Sequence, residues 1–380
     1  MSLLLFVFLD FAVGTLLFRL APYKPDNRLY RQLSPICHHE LKPNTAAWAA
    51  WGPYRYRVYT NSLGFKDAAV REVPLTSDAR RVVLMGDSFT EGLGYAYENT
   101  FAGILHARLA PRGFDVLNAG VSSYSPVIYY RRMKYLLEEV NLQVDEVMVF
   151  LDISDIQDEA LYYTLSEDGR VVDPRVADQP LKPGKPVDTT VLGWAPLTGT
   201  EKLKLWLREH FLSVAVADQL KDRFFPLEAE QPAGNGSDAL GPWRKMLKNE
   251  RGNWTHDAGV FAAYGERGLE RAARSMELLR DLLRQHGVRL TVVVYPWPNQ
   301  IVAGDRDSKQ VRYWRTWTAA NGSGFVDLFD EFIDGSDPAV TIRKYYIEGD
   351  CHFNAAGHQR VAAAMLQRFQ WIAGTTLSRH

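Results

Sequence analysis

Short β-branched runs alternate along this chain with longer stretches whose apolar residues recur at helical spacing. The runs are RVVLM (81–85), FDVLN (114–118), EVMVFLD (146–152), RLTVVVY (289–295) and GFVDL (324–328). Helical patterns fall near 100–110, 126–140, 264–286, 307–320 and 355–371. Strands separated by helices need crossover connections, and these give a parallel sheet covered on both faces. The pattern predicts a three-layer α/β/α sandwich built on five parallel strands, spanning 81–372. The third gap is far longer than the others, so 157–263 is expected to be an insertion. It contains an amphipathic helical pattern near 201–224 and Pro/Gly-rich tracts at 174–186 and 231–242. An insertion of this size usually forms a subdomain or lid over the ligand face.

Two segments precede the regular pattern. Residues 3–18 (LLLFVFLDFAVGTLLF) are almost all apolar, broken by Asp10, Gly14 and Thr15. A run with no polar face reads as a signal anchor or export segment over 1–20, although it is shorter than the ~20 residues that span a bilayer comfortably. No A-x-A-like cleavage site follows, so retention as a membrane anchor is expected, with the domain on the extracytoplasmic side. Arg19, Lys24, Arg28 and Arg31 all follow the run, and the positive-inside rule applied to them alone gives the opposite orientation. Residues 21–80 show no clear period in their first part and read as a connector packed on the domain.

Composition narrows the function classes. Of 380 residues, 46% are hydrophobic and 23% charged, which fits a globular protein and neither a disordered nor a polytopic one. Lys plus Arg (44) balance Asp plus Glu (45), so bulk charge gives no reason to expect nucleic acid as a partner. Two cysteines, Cys37 and Cys351, allow one bridge at most and no four-cysteine zinc site. His38, His39 and Glu40 beside Cys37 are adjacent residues without a second ligand pair at a recognised spacing, so no metal site is expected there. Gly86, Gly92 and Gly94 match neither G-x-G-x-x-G nor the P-loop, which argues against a nucleotide site.

Ligands of open parallel sheets bind beyond the carboxyl ends of the strands. The residues that follow the strands therefore belong together: Gly86-Asp87-Ser88, Asn118-Ala119-Gly120, Ile153-Ser154-Asp155, Pro296-Trp297-Pro298, and Asp350-Cys351-His352. A serine hydroxyl becomes a nucleophile when a neutral imidazole takes its proton, and the imidazole needs a carboxylate to fix its tautomer and stabilise its cation. Ser88, His352 and Asp350 supply that set. Gly120 is expected to let an oxyanion-binding backbone approach the substrate, and Asp87 and Trp297 complete the expected substrate-binding residues, Trp297 as a pocket wall. His358 is a rival base, but it lies inside a helical pattern. Read alone, Ser88 could be an ordinary helix cap, with Glu91 three residues on as in a capping box.

The run VVLMGDSFTEGLG, then NAGVSSYSP, then DCHFNAAGH resembles the SGNH/GDSL hydrolase superfamily over about 81–369, with the insertion unmatched. TNSLGFKD (60–67) is similar to the lead-in of membrane-anchored bacterial members. The resemblance implies a flavodoxin-like five-stranded sheet and ester hydrolysis or acyl transfer through an acyl-enzyme, on a small-molecule or glycan ester, with no cofactor. Two positions depart from the family pattern. Asp152-Ile153-Ser154-Asp155 stands where Gly-x-Asn-Asp is usual, which puts a hydroxyl at Ser154 in place of an amide donor. Asp350-x-His352 is one residue tighter than the common spacing. A weakened oxyanion hole leaves an alternative open, a non-catalytic carbohydrate-binding or scaffold protein.

Overall fold

The computed structural model describes residues 3–20, 25–174, 196–224 and 239–373. The Pro/Gly-rich tracts of the insertion fall largely outside them. In chain order the strands are β1 (Arg31–Ser34), β2 (His38–Leu41), β3 (Ala46–Trp51), β4 (Tyr54–Thr60), β5 (Lys66–Asp67), β6 (Arg80–Gly86), β7 (Phe114–Asn118), β8 (Glu146–Leu151), β9 (Thr164–Leu165), β10 (Val171–Val172), β11 (Arg289–Val294) and β12 (Gly324–Asp327). β1 with β2, and β9 with β10, form two small hairpins.

The main sheet runs β12-β11-β8-β6-β7-β5-β4-β3. Its first five strands are parallel and correspond to the five apolar runs. Numbered among themselves they follow the order 2-1-3-4-5, the flavodoxin-like arrangement. β8 is buried throughout and β6 at every position after Arg80, as expected where helices cover both faces. Glu266–Gln285 packs on Pro126–Lys134 and Asp155–Leu161, while Phe101–Leu109 packs on Ala355–Ala373. The buried stripe of the long helix is Leu269, Ala272, Ala273, Met276, Leu279, Leu282 and Leu283, the i, i+3, i+4, i+7 spacing of a core-facing helix.

The sheet has eight strands, not five. β5, β4 and β3 extend it antiparallel beyond β7, and all three come from the stretch read as a connector. Their signal is a period of two written in unusual residues. AAWAAW and YRYRVYT bury Ala47, Ala49, Tyr56 and Val58, and place Trp48 and Arg57 on the other face. Alanine and tyrosine do not read as a β-branched run, yet Trp48 and Arg57 are cross-strand partners, with the guanidinium 4.3 Å from the indole centroid.

The amphipathic pattern at 201–224 is two helices, Gly199–His210 and Leu212–Phe224, because Phe211 adopts an extended backbone (φ −113°, ψ 119°). At the amino end, Leu3–Leu20 forms one helix with a mean hydropathy of 2.2, long and apolar enough to cross a membrane by length and composition.

Candidate active site

β6 ends in a tight turn that opens the one-turn helix Ser88–Glu91. Asp87, not Ser88, caps this helix: its Oδ1 accepts the Phe89 N–H at 2.9 Å. Ser88 is thus the first helical residue, its hydroxyl is not spent on capping, and its N–H has no intrahelical acceptor. Gly92 closes the turn in the left-handed region (φ 74°), where glycine carries no steric cost. The turn is gripped from beneath by Glu91, which is buried and accepts from Arg31 Nη2 (3.0 Å) and from Ser122 N–H (2.8 Å).

Ser88 Oγ lies 2.8 Å from His352 Nε2, and His352 Nδ1 lies 2.6 Å from Asp350 Oδ1. The three residues named from sequence are therefore joined in a continuous chain, at the strand-order switch where β6 meets β8. The tight Asp350-x-His352 spacing is accommodated because Asp350 Oδ1 also accepts the His352 backbone N–H at 3.0 Å, so the two side chains share one turn. Two tryptophans hold that turn. Trp51, the last residue of β3, donates Nε1–H to Asp350 Oδ2 at 2.7 Å and stands edge-on to the His352 ring, with centroids 5.1 Å apart. Trp243, from the insertion, donates Nε1–H to the Asp350 carbonyl at 2.9 Å.

Burial alone would push the His352 imidazole down, but it lies well above its ordinary value. Cys351 Sγ, 3.8 Å from Nδ1, could contribute only as a thiolate, and burial raises that thiol to about 11. The Asp350 carboxylate is therefore the group that holds the imidazole up. Burial likewise pushes Asp350 up, yet His352 and the Trp51 donor outweigh it and keep the carboxyl below the usual range.

Of the remaining expected residues, Asp87 is in contact with Ser88, whose Oγ is 3.1 Å from its Oδ2. Burial, reinforced by the charge of Asp152, raises Asp87 to about 8, which favours its neutral carboxyl. Trp297 is buried, and its Nε1–H donates to Asp152 Oδ2 at 2.7 Å; its ring centroid lies 6.1 Å from Phe89. Gly120 N–H donates to the Asn118 side-chain oxygen at 3.0 Å. A Cβ on Gly120 would come within 2.6 Å of Glu91 N and Thr90 C, so glycine is needed for the β7 loop to lie against the serine turn. Ser154 is buried, and its N–H donates to Asp152 Oδ1 at 2.8 Å.

The unusual Asp152 thus has both oxygens occupied, one by Ser154 and one by Trp297. Asp87, Asp152 and Asp155 form a buried carboxylate group whose oxygens lie within 4.8 Å of one another, the set best able to offer oxygen ligands to a cation. Hydrogen bonds account for much of it. Tyr129 O–H and Asp152 N–H donate to Asp155 Oδ2 at 2.8 and 3.1 Å, and burial followed by the neighbouring Asp87 holds the Asp155 carboxyl well above its usual range. Close by, Arg251 Nη2 binds both oxygens of Asp158 at 2.9 and 2.8 Å.

The other candidates lie elsewhere. His358 is buried against Phe101, accepts its N–H at Nδ1 (3.3 Å), and is depressed by burial to about 3. His39 is buried and bonded to His38 (2.9 Å) and the Ser122 carbonyl (2.8 Å). Cys37 and Cys351 are separate free thiols, and the bridge between them does not form. Trp51, Trp243 and Phe89, whose ring lies 4.8 Å from His352, were not singled out by the sequence patterns.

No protein-family model and no curated protein sequence matches the chain. Among solved structures it is similar to a psychrotrophic esterase from Pseudoalteromonas sp. (10% identity, 78% of this chain, 100% of that one, TM-score 0.40). It is also similar to a lipolytic protein of the G-D-S-L family from Veillonella parvula (13% identity, 77% of this chain, 99% of that one, TM-score 0.35). A third is an acetylxylan esterase from Geobacillus stearothermophilus (12% identity, 77% of this chain, 95% of that one, TM-score 0.38). The three sequence blocks stand in order at the carboxyl ends of a 2-1-3-4-5 parallel sheet, the arrangement that the sequence resemblance to the SGNH/GDSL hydrolases implies.

Proposed function

We propose that the protein is a serine-dependent ester hydrolase or O-acyltransferase that works through an acyl-enzyme at Ser88, held at a membrane by Leu3–Leu20. The observation that carries this reading is the unbroken chain Ser88 Oγ–His352 Nε2 (2.8 Å) and His352 Nδ1–Asp350 Oδ1 (2.6 Å). Neutral His352 takes the hydroxyl proton as Ser88 Oγ bonds to the ester carbonyl carbon. The imidazolium, steadied by Asp350, then protonates the leaving alkoxide as the carbonyl re-forms. A water or acceptor hydroxyl, deprotonated by the same imidazole, attacks the acyl-enzyme and releases Ser88 with its proton restored. The Ser88 N–H and the Ser154 hydroxyl are the proposed oxyanion donors, and Gly120 serves close approach. The rings of Trp51 and Phe89 against His352, with Trp297 packed behind Phe89, suit an O-acyl group on a carbohydrate or lipid-linked sugar.

The test is fluorophosphonate labelling of the full chain in detergent, together with turnover of a short acyl ester. Parent protein should label and turn over, and Ser88→Ala should do neither, losing several orders of magnitude in rate. An unlabelled parent, or a Ser88→Ala variant that keeps its turnover, overturns the proposal. Product partition with an added sugar acceptor then separates hydrolysis from transfer.

A further inference from the structure

Two of the three residues that interrupt the amino-terminal apolar run, Asp10 and Gly14, are explained by what packs on it. Asp10 accepts from Ser213 N–H at 2.8 Å and from Ser213 Oγ–H at 2.7 Å, which caps the start of Leu212–Phe224. Gly14 is the buried residue of Leu3–Leu20, and a Cβ there would come within 2.5 Å of His210 O and Leu212 N. Phe11 lies between them, its ring centroid 5.4 Å from His210, 5.5 Å from Phe211 and 6.3 Å from Trp206. The apolar helix therefore grips the bend between Gly199–His210 and Leu212–Phe224, and the pair is tied across that bend by Arg208 and Asp218 at 3.6 Å.

This pair carries apolar residues that no other described residue covers: Leu203 is 57% exposed, Trp206 45%, Val216 42% and Leu220 49%. They continue the uncovered surface of Leu3–Leu20, where Leu9 and Leu16 are 49% and 57% exposed. Lys202, Lys204 and Lys221 are charged neighbours on the same two helices. Helices of 12 and 13 residues reach about 18–20 Å, too short to span a bilayer. The bend meets the apolar helix at Gly14, six residues before Leu20, or about 9 Å along its axis. That distance matches the ~5–10 Å to which an interfacial amphipathic helix sinks.

We propose that the pair Gly199–His210 and Leu212–Phe224 is a second membrane contact, a bent amphipathic wedge that lies in the headgroup–acyl boundary beside Leu3–Leu20. Leu203, Trp206, Val216 and Leu220 enter the acyl chains, and the lysines meet phosphate headgroups. The wedge fixes the tilt of the sheet domain on the membrane, because it belongs to the insertion whose Trp243 also binds the Asp350 carbonyl. The inference rests on the membrane reading of Leu3–Leu20, which the same experiment reads separately.

The experiment uses the full chain reconstituted in phosphatidylcholine–phosphatidylglycerol vesicles. Single cysteines replacing Leu203, Leu220, Leu16 and Leu278 carry an environment-sensitive fluorophore, and the parent chain, with its own two cysteines, is the blank. Leu278 is an exposed apolar residue on the long helix Glu266–Gln285 and serves as the aqueous reference. Labels at 203 and 220 should be blue-shifted and quenched by lipids with nitroxides high on the acyl chain about twofold or more above the label at 278. Quenching at 16 but not at 203 or 220 overturns the wedge and leaves the anchor standing. No quenching at any position overturns both. Blue-shifted labels at 203 and 220 that lipid nitroxides fail to quench mean that a second copy covers the patch, which also overturns the wedge.

Discussion

Replacing Trp51 by phenylalanine isolates one donor at the acid of the proposed triad. The indole N–H reaches Asp350 Oδ2 at 2.7 Å, and the ring stands at 82° to His352. Phenylalanine keeps the edge-on packing, worth about 0.5–1.5 kcal/mol, and removes only the hydrogen bond. A hydrogen bond to a charged group is worth about 1.5–3 kcal/mol, which corresponds to roughly 10- to 150-fold at about 1.4 kcal/mol per tenfold. Part of that loss falls on the resting pair and part on the transition state, so a kcat loss near tenfold at pH 7 is expected. The pH dependence has a definite sign. A carboxylate stripped of one donor is the stronger base, so it holds the His352 proton more tightly and moves the acid limb of the rate profile to higher pH. Turnover should recover partly as pH rises, with KM for a short ester nearly unchanged. Steady-state kinetics on a p-nitrophenyl acyl ester from pH 6 to 9, with circular dichroism as the folding control, decide it. An unchanged kcat with a raised KM would mean that Trp51 only lines the substrate path.

Asp350→Asn should move the acid limb the other way, because the group that holds His352 above its ordinary value is gone, while the maximal rate falls about 10⁴-fold; a profile that stays in place refutes the pairing. Asp87→Asn tests the buried neutral carboxyl. Its folded pKa of about 8 lies above the ordinary 3.8, so its contribution to stability is full below pH 3.8 and is lost as pH rises toward 8. The variant lacks this loss, and its stability relative to the parent should grow between pH 4 and 8 in urea unfolding; a constant difference is the contrary result. Gly120→Ala forces a Cβ against the Glu91 backbone at 2.6 Å and should lower stability by about 1–3 kcal/mol together with activity, read as a shifted urea midpoint.

The legible parts of the chain were those where one physical signal dominates. Parallel strands covered on both faces must be apolar at nearly every position, so β6, β8 and β11 stood out as runs, and glycine-bearing turns marked the ends that face a ligand. Ser88, Asp350 and His352 were picked out because an activated hydroxyl requires those three residue types at strand ends, and the fold brings them within hydrogen-bond distance of one another. β3 and β4 were missed for the opposite reason. Their buried face is made of Ala47, Ala49 and Tyr56, and the stabilising pairs lie on the other face, as with Trp48 and Arg57. The break at Phe211 was equally hidden, because apolar spacing continues across it while the backbone goes extended there against Gly14.

The same blind spot explains why the grip on the acid loop was not foreseen. Asp350 is held by indoles from two segments that lie outside the parallel sheet, Trp51 at the tip of an antiparallel extension and Trp243 in the insertion. Neither sits at a block that chemistry alone would single out, since a tryptophan acts here only by orienting another residue. Such a grip is consistent with the tight Asp350-x-His352 spacing: with one residue fewer between acid and base, the carboxylate accepts both the backbone and the ring N–H of His352 through Oδ1. Oδ2 is then left facing away from the imidazole, and Trp51 satisfies it. The short spacing and the added strand therefore belong together, and a chain with this spacing but without the β3–β4 extension would need another donor at that oxygen.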